Sequence, residues 1–225
     1  MARPSARPVS IDVDSGGRVS GLLELPAQAW CCYVMAHGAG AGMTHAFMAG
    51  AASGLSERGV ATLRYQFPYM EQGTKRPDPP ALAQATVRAA VTAAGRLAPG
   101  LPLIAGGKSF GGRMTSQAQA AQPLAGVRGL AFLGFPLHPA KQPSDARAKH
   151  LADVAVPTLF LQGTRDALAD LAMLRPVVAA LGERATLHVV DGADHSFHVP
   201  ARSGRKDPDV LREILDALAA WAKRL

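Results

Sequence analysis

"GGKSFGG", residues 106–112, supports two incompatible readings. Gly107-Lys108-Ser109 ends like a phosphate-binding loop, G-x-x-x-x-G-K-[ST]. Gly107-Lys108-Ser109-Phe110-Gly111 is also G-x-S-x-G, a strand-to-helix turn that presents a serine hydroxyl. A phosphate loop needs a glycine five residues before Gly107, so that successive N–H groups can curl around an anion. That position is Pro102, which has no N–H and a fixed φ. The serine-elbow reading needs a short buried strand before the turn and a helix after it. "LPLIAG" (101–106) suits the strand, and "FGGRMTSQAQAAQ" (110–122) suits a helix ending before Pro123.

The rest of the chain repeats this alternation. "VSIDVD" (9–14), a turn at Ser15-Gly16-Gly17 and "RVSGLLELP" (18–26) read as an antiparallel hairpin. Strands are expected at 30–38, 60–65, 101–105, 129–135, 157–163 and 185–192. Helices are expected near 44–58, 81–97, 110–122, 168–181 and from Asp207-Pro208, read as an N-cap with proline at N1. The last carries an apolar stripe of Leu211, Ile214, Leu215, Leu218 and Trp221. Strands alternating with helices after an antiparallel start imply an α/β fold, with a mostly parallel sheet covered on both faces. The 225 residues fit one domain, 1–225.

Composition narrows the function classes. With 48% hydrophobic and 18% charged residues the chain has material for a core. The first fourteen residues have no apolar stretch of the kind a secretory signal needs, and no apolar run approaches the ~20 residues of a membrane span. The expected location is therefore cytoplasmic. Cys31 and Cys32 are adjacent, expected on opposite faces of a strand and reduced. The net charge of +7 comes from scattered residues, without zinc-finger spacing or an RNA-binding aromatic signature, so no specific nucleic-acid partner is expected. Neither metal nor other cofactor is expected, because no ligand spacing appears. The dinucleotide pattern G-x-G-x-x-G fails at both of its registers in "HGAGAGMTH" (37–45).

A serine needs a base to take its proton and a carboxylate to orient that base. In an elbow-bearing α/β fold the chain order is serine, acid, histidine. Of seven histidines only His195 and His198 lie in a loop beyond the candidate acid, and His195 in "GADHSF" is closer to a strand end. Asp166 directly follows strand 157–163, whereas its rival Asp170 falls inside the expected helix. Two N–H donors are needed for a developing oxyanion. Phe110, after the serine, is one candidate, and Ala39, in the loop "HGAGAGM" (37–43), is the other. His37 reads as a tie that holds this loop.

At these residues the chain resembles the α/β-hydrolase superfamily, and within it the small dienelactone-hydrolase-like branch. "HGAGAGMTHAFM", "RYQFPYMEQGTKRPDPP", "GGKSFGGRM", "GTRDAL" and "GADHSF", spanning 37–198, are similar to that branch's motifs in order. Some members of the branch are similar to a testis-expressed protein and to a chromatin-complex subunit. The resemblance implies Ser109 as nucleophile, Asp166 as acid and His195 as base. Dienelactone hydrolase itself uses cysteine where this chain has Ser109, so its substrate does not carry over. Only 136–156 stands where relatives insert a cap, so an open, shallow site is expected; "QFPYM" (66–70) and "FPLHP" (135–139) are the segments best placed to wall it, with packing in the core as the other reading of Phe67, Tyr69 and Phe135. Lys108 reads either as a solvated cation or as a substrate contact. Two functions remain: a hydrolase of small acyl substrates, and a non-catalytic module of the same fold that binds a small molecule or partner. The oligomeric state is not legible in the sequence.

Overall fold

Hydrophobic periodicity decides which segments pair and which cover them. The computed structural model describes residues 5–14 and 17–225. Ser15 and Gly16 of the expected hairpin turn lie outside the described residues. Strands β1 (Arg7–Val13) and β2 (Gly17–Glu24) pair antiparallel from Arg7↔Leu23 to Val13↔Gly17. Their alternate residues Ile11, Val13, Val19 and Leu23 face the core, as expected where a sheet leaves one face to water.

The remaining strands are β3 (Cys31–Ala36), β4 (Val60–Tyr65), β5 (Leu103–Lys108), β6 (Val127–Leu133), β7 (Thr158–Gly163) and β8 (Ala185–Val190). The sheet has the order β1-β2-β4-β3-β5-β6-β7-β8, with β2 and β4 antiparallel and all pairs from β4 to β8 parallel. Strands β3, β4 and β7 are buried along their whole length. Both faces are therefore covered, which parallel pairing through crossover helices requires.

Helices α1 (Ala46–Ser56), α2 (Pro68–Glu71), α3 (Pro80–Leu97), α4 (Phe110–Ala121), α5 (Leu171–Ala180) and α6 (Asp207–Ala222) connect and cover these strands. One core layer gathers Val34, Leu63, Val87, Met114 and Phe160, and the other Met35, Leu55, Leu133, Leu215 and Trp221. Cys32 belongs to the first and Cys31 to the second, and both are free thiols. Burial pushes each thiol up to about 12, so neither forms thiolate at neutral pH.

Several boundaries differ from the sequence reading for physical reasons. Helix α1 begins at Ala46 because the His45 ring accepts the Phe47 N–H. Helix α5 begins at Leu171, and Asp170 is its cap, accepting the Ala172 N–H at 2.8 Å. Asp207 is the first helical residue rather than the cap, because its carboxylate is held by His198 and the Val199 N–H. Strand β5 runs to Lys108, three residues further than the expected end at 105, since β3 supplies ladder partners as far as Gly107 and β6 as far as Lys108. Among the described residues no helix is long and apolar enough to cross a membrane.

Candidate active site

Ser109 stands between the end of β5 and the start of α4, with φ 51° and ψ −117°. A non-glycine residue in this region is strained and is held there by its surroundings. Gly107 makes the turn sterically feasible. It pairs with Ala36 of β3 at φ 138°, and a Cβ on it would sit 2.1 Å from the Ala36 carbonyl oxygen.

The structure brings Ser109, His195 and Asp166 together from three separate loops. His195 Nε2 lies 2.8 Å from Ser109 Oγ, and His195 Nδ1 lies 2.7 Å from Asp166 Oδ2. With Nδ1–H donated to the carboxylate, the Nε2 lone pair faces the hydroxyl. The Asp166 side chain is buried, and its Oδ1 accepts the Leu168 N–H at 2.8 Å. Its Oδ2 also accepts from Gln162 Nε2. The Gln162 carbonyl oxygen in turn accepts the Phe135 N–H at 2.9 Å, so the amide is fixed at both ends. Asp170, the rival acid, caps α5, and its own N–H goes to His138. His198 pairs with Asp207, and Asp194 accepts the N–H groups of Ser196 and His198.

The loop after β3 borders the serine so closely that a Cβ on Gly38 would sit 3.7 Å from Ser109 Cβ. His37 is fully buried, bonded through Nδ1 to the Gly38 carbonyl, and accepts the Phe67 N–H on Nε2. Burial lowers its pKa to about 4, so it stays neutral and serves as a tie. Further along, the Tyr69 hydroxyl accepts the Gly40 N–H at 3.0 Å and Gln66 Oε1 accepts the Met43 N–H at 2.8 Å. Arg64 donates to the Met43 carbonyl and pairs with Glu24 in the interior. Ala39 thus lies between two anchored glycines, beside Ser109 in a cleft of about 340 Å³.

That cleft is lined by Ala39, Phe47, Met48, Lys108, Leu168 and His195 around Ser109, among others. Of the two readings of the aromatic residues near it, packing is the one the structure shows. Phe67 and Tyr69 are buried, with Phe67 packed against His37, Tyr65 and Phe110. Phe135 is spent on Phe132 and Phe160. Segment 136–156 holds a 3₁₀ stretch, Ala146–Asp153, that packs on α4 and forms no lid. Lys108 is not a solvated cation: its Nζ donates to the His195 carbonyl oxygen. Burial lowers its pKa to about 8, against the opposing pull of Asp166 and Asp194. A second pocket, of about 370 Å³ at the opposite ends of the strands, is lined by Trp30, Cys31, Ile104 and Leu225 and contains no comparable acid–base pair.

Sequence reasoning passed over Gln162, the Leu168 N–H, and the Arg64–Gln66–Tyr69 set that holds the loop. A signal existed for two of them. Gln162 and Arg64 are polar residues inside otherwise apolar strand runs, where each must find a partner.

Residues 30–223 match a family described as the alpha/beta hydrolase domain. The chain belongs to this family. Solved structures agree on the fold. A dienelactone hydrolase from Anabaena variabilis is 22% identical, with TM-score 0.80 over 99% of each chain. A serine hydrolase without a lid from Xanthomonas campestris is 21% identical, with TM-score 0.76 over 98% of this chain and 97% of the other. A cold-adapted esterase from an Arctic intertidal metagenomic library is 20% identical, with TM-score 0.69 over 96% of this chain and 93% of the other. This α/β-hydrolase chain thus has the same overall fold, built here on an eight-stranded sheet.

Proposed function

We propose that this α/β-hydrolase is a serine esterase acting on small acyl substrates, with Ser109, His195 and Asp166 as its triad. The single observation that carries the reading is the continuous path Ser109 Oγ–His195–Asp166, with contacts of 2.8 and 2.7 Å. In this reading His195 Nε2 takes the hydroxyl proton as Ser109 Oγ bonds to the substrate carbonyl carbon. Asp166 stabilises the resulting imidazolium and keeps its tautomer. The carbonyl oxygen becomes an oxyanion and, in this reading, meets the N–H groups of Phe110 and Ala39. Collapse breaks the bond to the leaving alkoxide, which takes the proton from Nε2. Water then repeats the sequence on the acyl-enzyme and releases the acid.

Asp166 is suited to its role because it stays bonded to Leu168 and Gln162 while His195 charges. The resemblance to esterase structures in fold is consistent with ester chemistry and supplies no substrate.

The test is labelling by a fluorophosphonate probe together with p-nitrophenyl acetate turnover. Wild type should label covalently and Ser109→Ala should not. Ser109→Ala and His195→Ala should each lose turnover by orders of magnitude, because the triad works as a unit. Asp166→Asn should be crippled too, whereas Asp170→Asn keeps its cap and its activity. A wild-type chain that neither labels nor turns over ester would instead support the binding-module reading.

A further inference from the structure

We propose that Lys108 is a positioning residue for His195, tying the base's main chain to the strand that carries the serine. The proposal rests on the reading of His195 as general base. Lys108 is the last residue of β5 and directly precedes Ser109. Its Nζ donates to the carbonyl oxygen of His195 at 2.5 Å. One side chain therefore links the nucleophile's backbone to the peptide of the base, across 87 positions of sequence.

The site is built around that ammonium group. The rings of Phe47 and Phe197 stack at 5.8 Å with 9° between their planes, and Nζ lies 6.0 and 5.5 Å from their centroids. Such ring faces attract a cation. Gly134, just beyond β6, has φ 72°, and a Cβ there would sit 3.0 Å from Nζ and 3.5 Å from both Cε1 and Nδ1 of His195. A Cβ at this position would crowd the ammonium group and reach the His195 ring at ordinary contact distance. Other anchors of the loop hold its remaining residues: Asp194 accepts from Ser196 and His198, and Asp207 from Val199. The lysine holds the His195 peptide.

A cation beside the base opposes formation of imidazolium, so electrostatics alone does not favour this lysine. The charged and titratable groups around it are Asp166 from the β7–α5 loop, Asp194 from the same loop as His195, and His45 at the start of α1. The two carboxylates offset its charge. What remains is geometry. A displacement of about 1 Å in a reacting group can cost about a hundredfold in rate, and Lys108 is placed to prevent one at His195.

The experiment begins with wild type and Ser109→Ala under the fluorophosphonate probe. Failure of wild type to label would sink the esterase reading itself, separately from Lys108. With wild type active, Lys108→Met preserves length and apolar packing while removing the donor and the charge. Its kcat and labelling rate should fall about ten- to a hundredfold with KM for p-nitrophenyl acetate nearly unchanged. A lysine needed only for packing would leave kcat unchanged here, because methionine keeps the apolar stem. Wild-type kcat in folded Lys108→Met overturns the proposal. Should that variant be too unstable to assay, Lys108→Ala titrated with ethylammonium takes its place. Saturable rescue of kcat supports the proposal, and near-wild-type activity indifferent to the amine overturns it.

Discussion

Replacing Gln162 with leucine removes two bonds at one buried point while leaving Ser109, His195 and Asp166 themselves untouched. Gln162 is fully buried in β7, accepting from the Phe135 N–H at 2.9 Å and donating to Asp166 Oδ2. Leucine is close in size and serves neither partner. An orphaned buried N–H costs about 1–3 kcal/mol, and a bond to an ionised carboxylate contributes about 1.5–3 kcal/mol. Greater apolar burial by leucine offsets about 1 kcal/mol. The expected net loss is about 1.5–5 kcal/mol, and at about 2–4 °C per kcal/mol for this chain length it lowers Tm by roughly 3–20 °C. Asp166 keeps the Leu168 N–H and His195, so the carboxylate stays in the site but less firmly, and kcat should fall as well. Thermal and urea unfolding followed by circular dichroism measures the first effect, and ester turnover well below the new midpoint the second. A double-mutant cycle with Asp166→Asn then isolates the shared part. A Gln162→Leu variant melting within about 2 °C of wild type would refute the bond assignment and the ledger built on it.

Three further outcomes follow from the same geometry. Gly107→Ala should accumulate little soluble protein, since its Cβ would meet the Ala36 carbonyl at 2.1 Å and its φ of 138° resists any side chain; a wild-type-like melting curve would contradict this. For Lys108 the folded pKa, about 8, lies below the ordinary 10.5, so the unfolded chain binds more protons between those values. Its contribution to stability is therefore fully present above 10.5 and is lost as pH falls through about 8; the wild-type minus Lys108→Met difference in unfolding free energy should grow in wild type's favour from pH 8 to 10.5, and a flat difference would refute the assignment. Finally, p-nitrophenyl esters should stop gaining kcat/KM after the first few acyl carbons, because the cleft of about 340 Å³ has no lid. A buried tunnel would add ~0.8 kcal/mol, about fourfold, per methylene, and a rise continuing past octanoate would show one.

What the sequence made legible is what local chain chemistry encodes. The alternation of apolar runs placed the strands, and Pro102 excluded the phosphate loop, because each depends on neighbours along the chain. The order serine, acid, histidine could be read because the fold puts loops after β5, β7 and β8 at one end of the sheet, where the three side chains now lie within bonding distance. Asp170 shows where such reasoning stops. Its carboxylate starts a helix three residues later than the apolar pattern suggested, and the pattern has no term for a cap competing with one more helical turn. The aromatic residues of "QFPYM" read equally as cleft walls or as packing, and the core took them, since burial of Phe67 against four rings outweighs exposure at a site wall.

Lys108 carries that lesson furthest. Beside a serine, in an exposed-looking turn, a lysine has two local descriptions, solvated or substrate-facing, and nothing within ten residues distinguishes them. Its partner is a backbone carbonyl 87 positions away, an atom every residue possesses and no sequence pattern marks. The only trace in the chain is indirect. Gly134, with its positive φ, stands where a Cβ would crowd the ammonium group at 3.0 Å and meet the His195 ring at an ordinary 3.5 Å. A glycine after a strand is ordinarily read as a turn, and here it also keeps open the space through which one strand end holds the loop of another. Gly134→Ala should therefore displace the ammonium group and lower kcat, by less than Lys108→Met does, and a folded Gly134→Ala variant with intact kcat would show that the lysine does not depend on that space.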